Sequence, residues 1–425
     1  MLHIEEERIR ELLLKGNFGL EKESLRVLGN GRFSHTPHPF PDDENIVKDF
    51  CENQTEINTG VHDSAQGAVD ELVFHNRRIF EKLGSLPERE YLWPFSNPPY
   101  IENEEDVPIA VYDRSRVAKM VYREYLSDKY GRYKMTFSGI HVNYSFSDEL
   151  LRADYEYTDK SISFEAYKDR LYLDLAQMMC AYGWILVAVT AASPVMDGSY
   201  VLKGARGRDV FLGMASVRCS ELGYWNSFSP VFDFTDLKTY AQSIRKYVQQ
   251  GFLRAPSELY YPIRLKPRGE NNLHSLETYG ISHMELRMFD LNPLREECVE
   301  VKDILFAQLL MVWLASRPQQ SFAEKDQVQA TQNYKNAAHY DLKTVKIMTP
   351  AGETFSVADA ALNVLRMMRE FYHEVGIDVD GILNFEHEKF IDPSARYAWK
   401  IREDYETDFA GKGLKLAKER QEKDV

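Results

Sequence analysis

The chain has 425 residues, of which 44% are hydrophobic and 12% aromatic, a composition that excludes a disordered protein and allows a sizeable core. Its 66 acidic residues outnumber 52 basic ones, and the net charge of -14 argues against nucleic acid or an anionic membrane as the main partner. The cysteines at 51, 180, 219 and 298 form no CxxC pair. We therefore expect neither a zinc ribbon nor a disulfide framework, and a reduced, cytoplasmic location.

The first predicted elements are an amphipathic helix over residues 2–14 and a strand over residues 19–27, GLEKESLRV. The N-terminal residues lack the features of a secretory signal, so we expect none. Side chains two apart in a strand share a face, so Glu21 and Glu23 project together and repel each other unless water or a cation screens them. The segment is therefore either an edge strand with a solvated face or part of a cation site. The Asn-Gly pair at 30–31 predicts a turn after it.

A polar run and two helices follow. Residues 49–56, DFCENQTE, resemble a strand in which carboxylates lie among apolar side chains. The next helix is predicted over residues 64–83, with Ser64 as its N-cap and Gly84 as its terminator. A further helix is predicted over residues 115–129.

Residues 136–146 alternate between apolar and polar side chains, which predicts a strand with His141 and Asn143 on its polar face. A long helix is predicted over residues 164–192. Its most apolar part, residues 178–192, is too short to span a bilayer comfortably. We therefore expect a buried helix and no membrane partner.

The remaining elements are a basic, glycine-containing loop at 203–208, a strand through residues 214–218, and helices over residues 236–250, 300–316 and 357–375. Residues 283–290 alternate again and place Glu285 and Arg287 on one face. From about residue 412 the chain is rich in charge and poor in apolar residues, which predicts a charged tail in the form of a solvated helix or a frayed end. No repeat or linker interrupts the pattern, so we expect a single domain over residues 1–425, and strands intermixed with helices favour an α+β fold.

Several strand-like segments thus carry polar groups on one face: Glu21 with Glu23, residues 49–56, His141 with Asn143, and Glu285 with Arg287. If they join one sheet, a face so rich in carboxylates implies a ligand-filled cleft or open water. Hard oxygen ligands with a single histidine suit Mg²⁺ or Mn²⁺, and such ions would let an acidic cleft accept ATP.

Each of these residues also has a purely structural interpretation. His141 could be a structural histidine with satisfied hydrogen bonds, and Glu56 and Glu285 could be partners of nearby arginines. Common nucleotide, dinucleotide and zinc-protease motifs are missing from the sequence.

The chain resembles bacterial glutamate-cysteine ligases, and the ligase half of bifunctional glutathione synthases, in the following segments: GLEKESLRV at 19–27, Asp49-Phe50 with Glu56, YRE at 122–124, SGIHVN at 138–143, Arg218 with LGY at 222–224, LYYPIR at 259–264, ELR at 285–287 and DLNP at 290–293. They occur in the family's order over about residues 15–295. The family is similar in fold to glutamine synthetase, so the resemblance implies a curved, funnel-like antiparallel sheet backed by helices.

The resemblance implies a ligase that uses ATP to phosphorylate the γ-carboxylate of L-glutamate and then joins the carbonyl to the amine of L-cysteine. About two or three Mg²⁺ ions, or Mn²⁺ in their place, would bridge the phosphates and the carboxylate. The implied metal ligands are Glu21, Glu23, Asp49, Glu56, His141 and Glu285.

The resemblance also implies roles for cationic and aromatic residues. Arg287 and Arg123 are candidate catalytic residues that would stabilise the transferring phosphoryl group, and Arg218 would pair with a glutamate carboxylate. The implied substrate-binding positions are Phe50, Tyr122, Asn143, Arg218, Tyr224, Tyr260 and Arg264. The aromatic ones would shape the pocket for the acceptor cysteine.

One residue departs from the family pattern, because Met135 stands where proteobacterial relatives have glutamine. The chain length leaves no room for the module that completes glutathione in the fused enzymes, so we expect a separate glutathione synthetase. Two alternatives stay open: a ligase that joins glutamate to a different amine, and a binding protein of the same fold without turnover.

Overall fold

The computed structural model describes residues 1–112, 116–203, 209–320 and 322–424. Its strands are β1 (Gly16–Leu28), β2 (Ile46–Lys48), β3 (Gln54–Asn58), β4 (Glu90–Leu92), β5 (Gly139–Phe146), β6 (Val195–Asp197), β7 (Asp209–Phe211), β8 (Ile263–Pro267), β9 (Ile281–Asp290), β10 (Lys346–Met348) and β11 (Thr354–Ser356).

Its α-helices are α1 (Glu7–Leu12), α2 (Ala65–Gly84), α3 (Val117–Tyr130), α4 (Asp148–Tyr155), α5 (Phe164–Tyr182), α6 (Trp184–Thr190), α7 (Gly198–Val201), α8 (Leu237–Gln249), α9 (Leu273–Tyr279), α10 (Val301–Ala315), α11 (Glu324–Ala337), α12 (Val357–Glu374), α13 (Asp380–Ile391), α14 (Tyr397–Tyr405) and α15 (Phe409–Asp424). The mixture of helices and strands confirms the predicted α+β class.

A curled antiparallel sheet is the centre of the fold, with strand order β2-β3-β1-β5-β9-β8 and β4 paired to β1. Strand β1 pairs with β3 on one side and with β5 on the other, so the alternative of an edge strand is wrong. In place of the predicted strand at residues 49–56, a turn at residues 52–53 precedes β3, and Asp49 lies between β2 and that turn. The polar segments expected to share a sheet do so in β1, β3, β5 and β9.

One face of the sheet is apolar and covered by helices. Leu20, Val142 and Leu286 are buried on it, and α2, α5 and α6 pack against the sheet strands. The alternation of apolar and polar residues in β1, β5 and β9 therefore divides core from cleft, as a half-buried strand requires. A bulge in β9 interrupts this alternation, because Val142 pairs with Leu286 whereas Ile140 pairs with Phe289.

The helix predicted over residues 164–192 is two helices, α5 and α6, separated at Gly183. A Cβ atom at Gly183 would collide with the Tyr334 hydroxyl, which donates a hydrogen bond of 2.6 Å to the Met179 carbonyl. Within the described residues, a membrane-length apolar segment is reached only by joining α5 to α6 across their 57° bend, and each helix alone falls short of it.

Three other expected elements differ from the structure. The helix at 2–14 is reduced to α1, and the helix expected at 115–129 is α3, with Ser115 outside the described residues. In place of a strand at 214–218, Ser216 and Met214 form isolated bridges to Ser193 and His339. Most of the basic loop predicted at 203–208 also lies outside the described residues.

The charged tail, predicted as a solvated helix or a frayed end, is helix α15, and this helix is packed against the fold and not solvated. Ala417, Arg420 and Gln421 are buried, and the helix contacts α2 and β4. Arg420 donates a hydrogen bond of 2.7 Å to the Pro293 carbonyl. Long polar side chains can bury their stems while their polar ends stay hydrogen-bonded, so low apolar content did not prevent packing here.

Candidate functional site

Strand register brings the polar side chains of four strands together. Glu21 of β1 lies opposite His141 of β5, and Glu23 lies opposite Glu56 of β3. On the other side of β5, Asn143 lies opposite Glu285 of β9. Directly paired residues project from the same face of a sheet, so residues far apart in sequence meet on its polar face.

Apart from Asn143, these side chains line a cavity of about 250 Å³, here called the sheet cavity. Its lining residues are Glu21, Glu23, Asp49, Phe50, Glu56, Tyr122, Arg123, Leu126, Met135, Phe137, His141, Arg218, Tyr224, Ser257, Tyr260, Arg264, Lys266, Glu285 and Arg287. The structure therefore gathers every predicted site residue except Asn143 around one cavity. Their individual roles stay predictions.

Glu21, His141 and Glu285 form a compact group whose potential ligand atoms lie within 4.8 Å of one another. The Nδ1 atom of His141 is 3.0 Å from Glu21 Oε2 and 3.3 Å from Glu285 Oε1. Among the described residues, Glu285 Oε2 is a buried atom that receives no hydrogen bond. Two carboxylates, one of them with a buried oxygen that receives no hydrogen bond, and one imidazole fit the donor set of a hard divalent cation.

Charge in this group is already partly balanced by its neighbours. Burial acts to raise the pKa of Glu285, but the positive charges of Arg287 and Arg264 outweigh it and hold that pKa well below the usual range. Burial acts to lower the pKa of His141, but hydrogen bonds with Glu21 and Glu285 outweigh it and the pKa is raised. The group is thus arranged to keep its carboxylates ionised.

A second carboxylate cluster consists of Glu23, Asp49 and Glu56. Burial, followed by the negative charges of Asp49, Glu21 and Glu23, raises the pKa of Glu56 well above its ordinary value. Burial also raises the pKa of Glu23. Clustered carboxylates with raised pKa values are deficient in positive charge, and a bound divalent cation would supply it.

Three arginines that line the sheet cavity are anchored through backbone carbonyls. Arg218 donates a hydrogen bond of 2.8 Å to the Arg287 carbonyl, and a Cβ atom at Gly139 would overlap its guanidinium group. Arg123, on α3, donates a hydrogen bond of 2.8 Å to the Asp49 carbonyl. Arg264 donates one of 3.0 Å to the Leu259 carbonyl. These contacts fix the guanidinium groups before any substrate arrives.

Aromatic residues form another wall of the sheet cavity, here called the aromatic wall. The rings of Tyr224 and Tyr260 lie 4.1 Å apart between centroids, and burial raises the pKa of both hydroxyls well above the ordinary value. The Tyr122 hydroxyl accepts a hydrogen bond of 3.1 Å from Ser257. Phe50 is also buried in this wall. The wall therefore offers neutral hydroxyl groups and apolar faces to a small ligand.

Comparison with known proteins decides the family. A sequence profile described as Glutamate-cysteine ligase matches residues 1–254 and 248–337. The chain belongs to the glutamate-cysteine ligase family. This confirms the resemblance inferred from the short segments, and it extends the match beyond the last of them.

Curated relatives of this family member are longer than the chain itself. It is 34% identical over 380 residues to the glutathione biosynthesis bifunctional protein GshAB of Listeria innocua, covering 86% of this chain and 49% of that protein. The GshAB protein of Clostridium perfringens is 33% identical over 380 residues, covering 86% of this chain and 48% of that protein. The chain thus spans about half the length of the curated relatives it matches.

Solved structures agree on the fold of the family. The bifunctional glutathione synthetase of Pasteurella multocida superposes with a TM-score of 0.83 at 27% identity, covering 99% of this chain and 54% of that one. Glutamate-cysteine ligase of Francisella tularensis, solved in complex with AMP, gives a TM-score of 0.83 at 22% identity, covering 96% and 89%. The fold predicted from the resemblance is confirmed.

Two cavity features differ from expectation in this family member. Asn143 is predicted to bind substrate, but it lies outside the cavity lining and donates a hydrogen bond of 3.0 Å to Glu21 Oε1. Lys266 lines the cavity but is not among the residues predicted from the sequence. The alternation of residues 263–267, IRLKP, is the signal that could have placed Lys266 on the same face as Arg264.

Proposed function

We propose that this chain catalyses the ATP-dependent ligation of L-glutamate, through its γ-carboxylate, to the amine of L-cysteine, giving γ-glutamylcysteine. The observation that carries the proposal is the sheet cavity, which combines buried carboxylates, anchored arginines and an aromatic wall. The name of the Francisella tularensis protein and its complex with AMP support the same chemistry and nucleotide class. The names of the curated relatives refer to glutathione biosynthesis.

Mg²⁺ or Mn²⁺ would be held by Glu21, His141 and Glu285, with Glu23, Asp49 and Glu56 as ligands of further ions. When bound, such ions would neutralise the phosphates and polarise the phosphoryl group that is transferred.

The protein's own cations would act on the first step. A γ-carboxylate oxygen of glutamate attacks the γ-phosphorus of ATP, the bond to ADP breaks, and an acyl phosphate forms. Arg218 would bind a glutamate carboxylate through its planar guanidinium group, which lysine cannot imitate. Arg287 and Arg123 would stabilise the charge on the phosphoryl oxygens.

The second step would take place beside the aromatic wall. The cysteine amine attacks the acyl carbonyl, a C–N bond forms, inorganic phosphate leaves and the amine loses a proton. Phe50, Tyr122, Tyr224 and Tyr260 would enclose the acceptor side chain. Their apolar faces suit a small, soft thiol, and their exclusion of water would protect the acyl phosphate from hydrolysis.

Completion of glutathione needs a second ATP-dependent ligation. We propose a separate glutathione synthetase for that step, whereas the curated relatives compared above are bifunctional. Addition of a purified synthetase to the reaction should convert γ-glutamylcysteine and glycine to glutathione. Glutathione formed by this chain alone would overturn the proposal.

The direct test is a coupled assay of ADP release with ATP, L-glutamate and L-cysteine. We expect equal amounts of ADP, phosphate and γ-glutamylcysteine, with product identified by mass spectrometry. The exposed substitution Glu374→Gln serves as a control that should leave the rate unchanged. Turnover with another amine but not with cysteine would favour the alternative ligase. Nucleotide binding without turnover for any amine would favour the non-catalytic alternative.

A further inference from the structure

Lys266 lies among the carboxylates of the sheet cavity and, within the part of the chain that the structure describes, is ion-paired with two of them but hydrogen-bonded to neither. It is on β8, opposite His283 of β9, and projects toward the candidate metal group. Its Nζ atom is 3.5 Å from Glu285 Oε1 and 3.7 Å from Glu21 Oε1. Both distances exceed that of a normal hydrogen bond. The ammonium group therefore balances the charge of two carboxylates without being fixed to either.

The arginines of the same cavity differ from Lys266 in this respect. Arg287 donates a hydrogen bond of 3.0 Å to Glu285 Oε1, and Arg218 is hydrogen-bonded to the carbonyl groups of Arg287 and Phe289. Arg264 donates to the Leu259 carbonyl. Their guanidinium groups are held by directional contacts. A lysine carries a compact charge on a flexible four-carbon stem and can change partners at small cost.

The positive charge of Lys266 also affects the binding of a divalent cation to Glu21 and Glu285. The two carboxylates beside it belong, with His141, to the one group of described residues that could hold a metal ion by the distances between its ligand atoms. A positive charge about 4 Å from both carboxylates opposes the approach of a divalent cation. Lys266 must therefore lower the affinity of this group for metal ions as long as it stays in place.

We propose that Lys266 is a mobile counter-cation of the sheet cavity, which balances Glu21 and Glu285 before a divalent cation binds and then binds the triphosphate of the nucleotide that arrives with the metal. The first half rests on the contacts of Lys266 alone. The second half rests on the proposed function, because it needs a nucleoside triphosphate as substrate. The two halves are tested by separate measurements.

The first measurement is a calorimetric titration of Mn²⁺ into the nucleotide-free protein. Lys266→Met removes the charge and keeps most of the stem, and we expect it to bind Mn²⁺ on the order of tenfold more tightly than the wild type. Lys266→Arg keeps the charge and should stay within about threefold of the wild-type affinity. Lys246→Met removes an exposed lysine on α8 and controls for net charge.

Unchanged or weaker Mn²⁺ binding by Lys266→Met, with its fold intact by circular dichroism, would overturn the first half. If Lys266→Met does not fold, Lys266→Gln takes its place in the same titration. An equal gain in Mn²⁺ affinity in Lys246→Met would also overturn the first half of the proposal. The gain would then come from the change in net charge and not from the position of Lys266.

The second measurement compares a non-hydrolysable ATP analogue with adenosine, both in saturating Mn²⁺. Lys266→Met should bind the analogue about tenfold more weakly than the wild type and adenosine equally well. Equal affinity for the analogue, or an equal loss for adenosine, would overturn the second half. A protein that gives the expected Mn²⁺ result but has no ligase turnover would disprove the proposed function and leave the counter-cation role standing.

Discussion

Glu23 is a buried carboxylate whose negative charge is unfavourable in the protein without a cation and would be favourable beside a bound cation. Burial raises its pKa, and the charge of Asp49 adds to that effect. Its Oε2 atom accepts a hydrogen bond of 3.0 Å from the Gly139 amide. A glutamine can accept the same hydrogen bond through its amide oxygen but cannot balance a divalent cation.

We predict that Glu23→Gln lowers the rate of ADP release by about a hundredfold or more, because one charged contact to the reacting centre is lost. The melting temperature without metal should be unchanged or higher, since a buried charge has been removed. Rate assays and thermal melts of the same preparation check both outcomes. Full activity in Glu23→Gln would exclude this residue from the candidate metal site.

Arg218 differs from Glu23 because its role depends on geometry as well as charge. Its guanidinium group lies against Gly139 and donates to two backbone carbonyls. We predict that Arg218→Lys raises the KM for glutamate about tenfold or more, because an ammonium group cannot make the planar, paired contacts of a guanidinium. Initial rates at varied glutamate concentration measure this change.

The matched control for Arg218→Lys is Arg245→Lys. Arg245 forms an ion pair with Glu277 away from the sheet cavity. The control should keep the wild-type KM for glutamate. Similar KM values for Arg218→Lys and the wild type would show that Arg218 does not bind this substrate.

Local alternation predicted which side chains share a face, but not which of them reach the cavity. Glu21, His141 and Glu285 follow from the period of two in their strands. Asn143 has the same parity as His141, yet it points its amide to Glu21 and not to the cavity. Whether a polar residue lines the cavity depends on the position along the strand at which the sheet curls. A single sequence does not reveal that position.

At the scale of elements, the break between α5 and α6 depends on a contact with a residue distant in sequence, which the local sequence does not predict. Gly183 allows the chain to pass close to Tyr334, whose hydroxyl is hydrogen-bonded to the Met179 carbonyl. A methyl group at residue 183 would overlap that hydroxyl and lie 2.7 Å from the same carbonyl. Apolar periodicity continues through the break, which is why one long helix was the natural prediction.

We predict that Gly183→Ala lowers the free energy of unfolding by about 2 kcal/mol, because overpacking in a rigid core forces neighbours to move. Tyr334→Phe removes the hydroxyl and should recover part of this loss in the double variant. Gly381→Ala, in helix α13 with open space around it, should raise the free energy of unfolding by about 0.5–1 kcal/mol and serves as the control.

Urea denaturation of the wild type, the two single variants Gly183→Ala and Tyr334→Phe, their double variant and Gly381→Ala measures these differences. A value for Gly183→Ala equal to that for Gly381→Ala would contradict the packing argument. Additive effects of Gly183→Ala and Tyr334→Phe would show that the two residues do not interact.

Helix α15 is a second element whose burial could not be predicted from the local sequence. Its composition predicts a solvated helix or a frayed tail, so the helix agrees with the prediction and its burial does not. Its burial comes from contacts with α2 and β4 and from the hydrogen bonds of Arg420 to the 293–295 turn. These partners lie more than 100 residues away, so composition alone could not predict them.

At the scale of the whole molecule, the sheet order follows from pairings between distant segments. The sequence predicted the polar faces of β1, β5 and β9 and, through the family resemblance, a curved antiparallel sheet. It did not place β1 between β3 and β5, and it left an edge strand as an alternative. The alternation of residues in a short strand predicts which side chains share a face. Which strands pair with it depends on packing in the complete fold.

The stability of the whole molecule should depend on pH through His38, a buried histidine outside the lining of the sheet cavity. His38 is 7% exposed, and burial lowers its pKa from 6.5 to about 4, although a hydrogen bond with the Ile46 carbonyl acts in the opposite direction. The unfolded chain therefore binds a proton between pH 6.5 and 4 while the folded chain does not. The free energy of unfolding must fall as pH decreases through this window, and the contribution of His38 to stability is complete above pH 6.5.

We predict that His38 accounts for a loss of roughly 3 kcal/mol between pH 6.5 and pH 4. Other groups also titrate in this range, so the measured quantity is the difference between the wild type and His38→Gln, in which a neutral amide can still donate to the Ile46 carbonyl. Urea denaturation at half-unit intervals of pH gives that difference. Between pH 6.5 and pH 4 the wild type should lose roughly 3 kcal/mol more than His38→Gln, because only the wild type loses stability through residue 38. Parallel curves would mean that the histidine is protonated in the folded chain or reaches water as it unfolds locally.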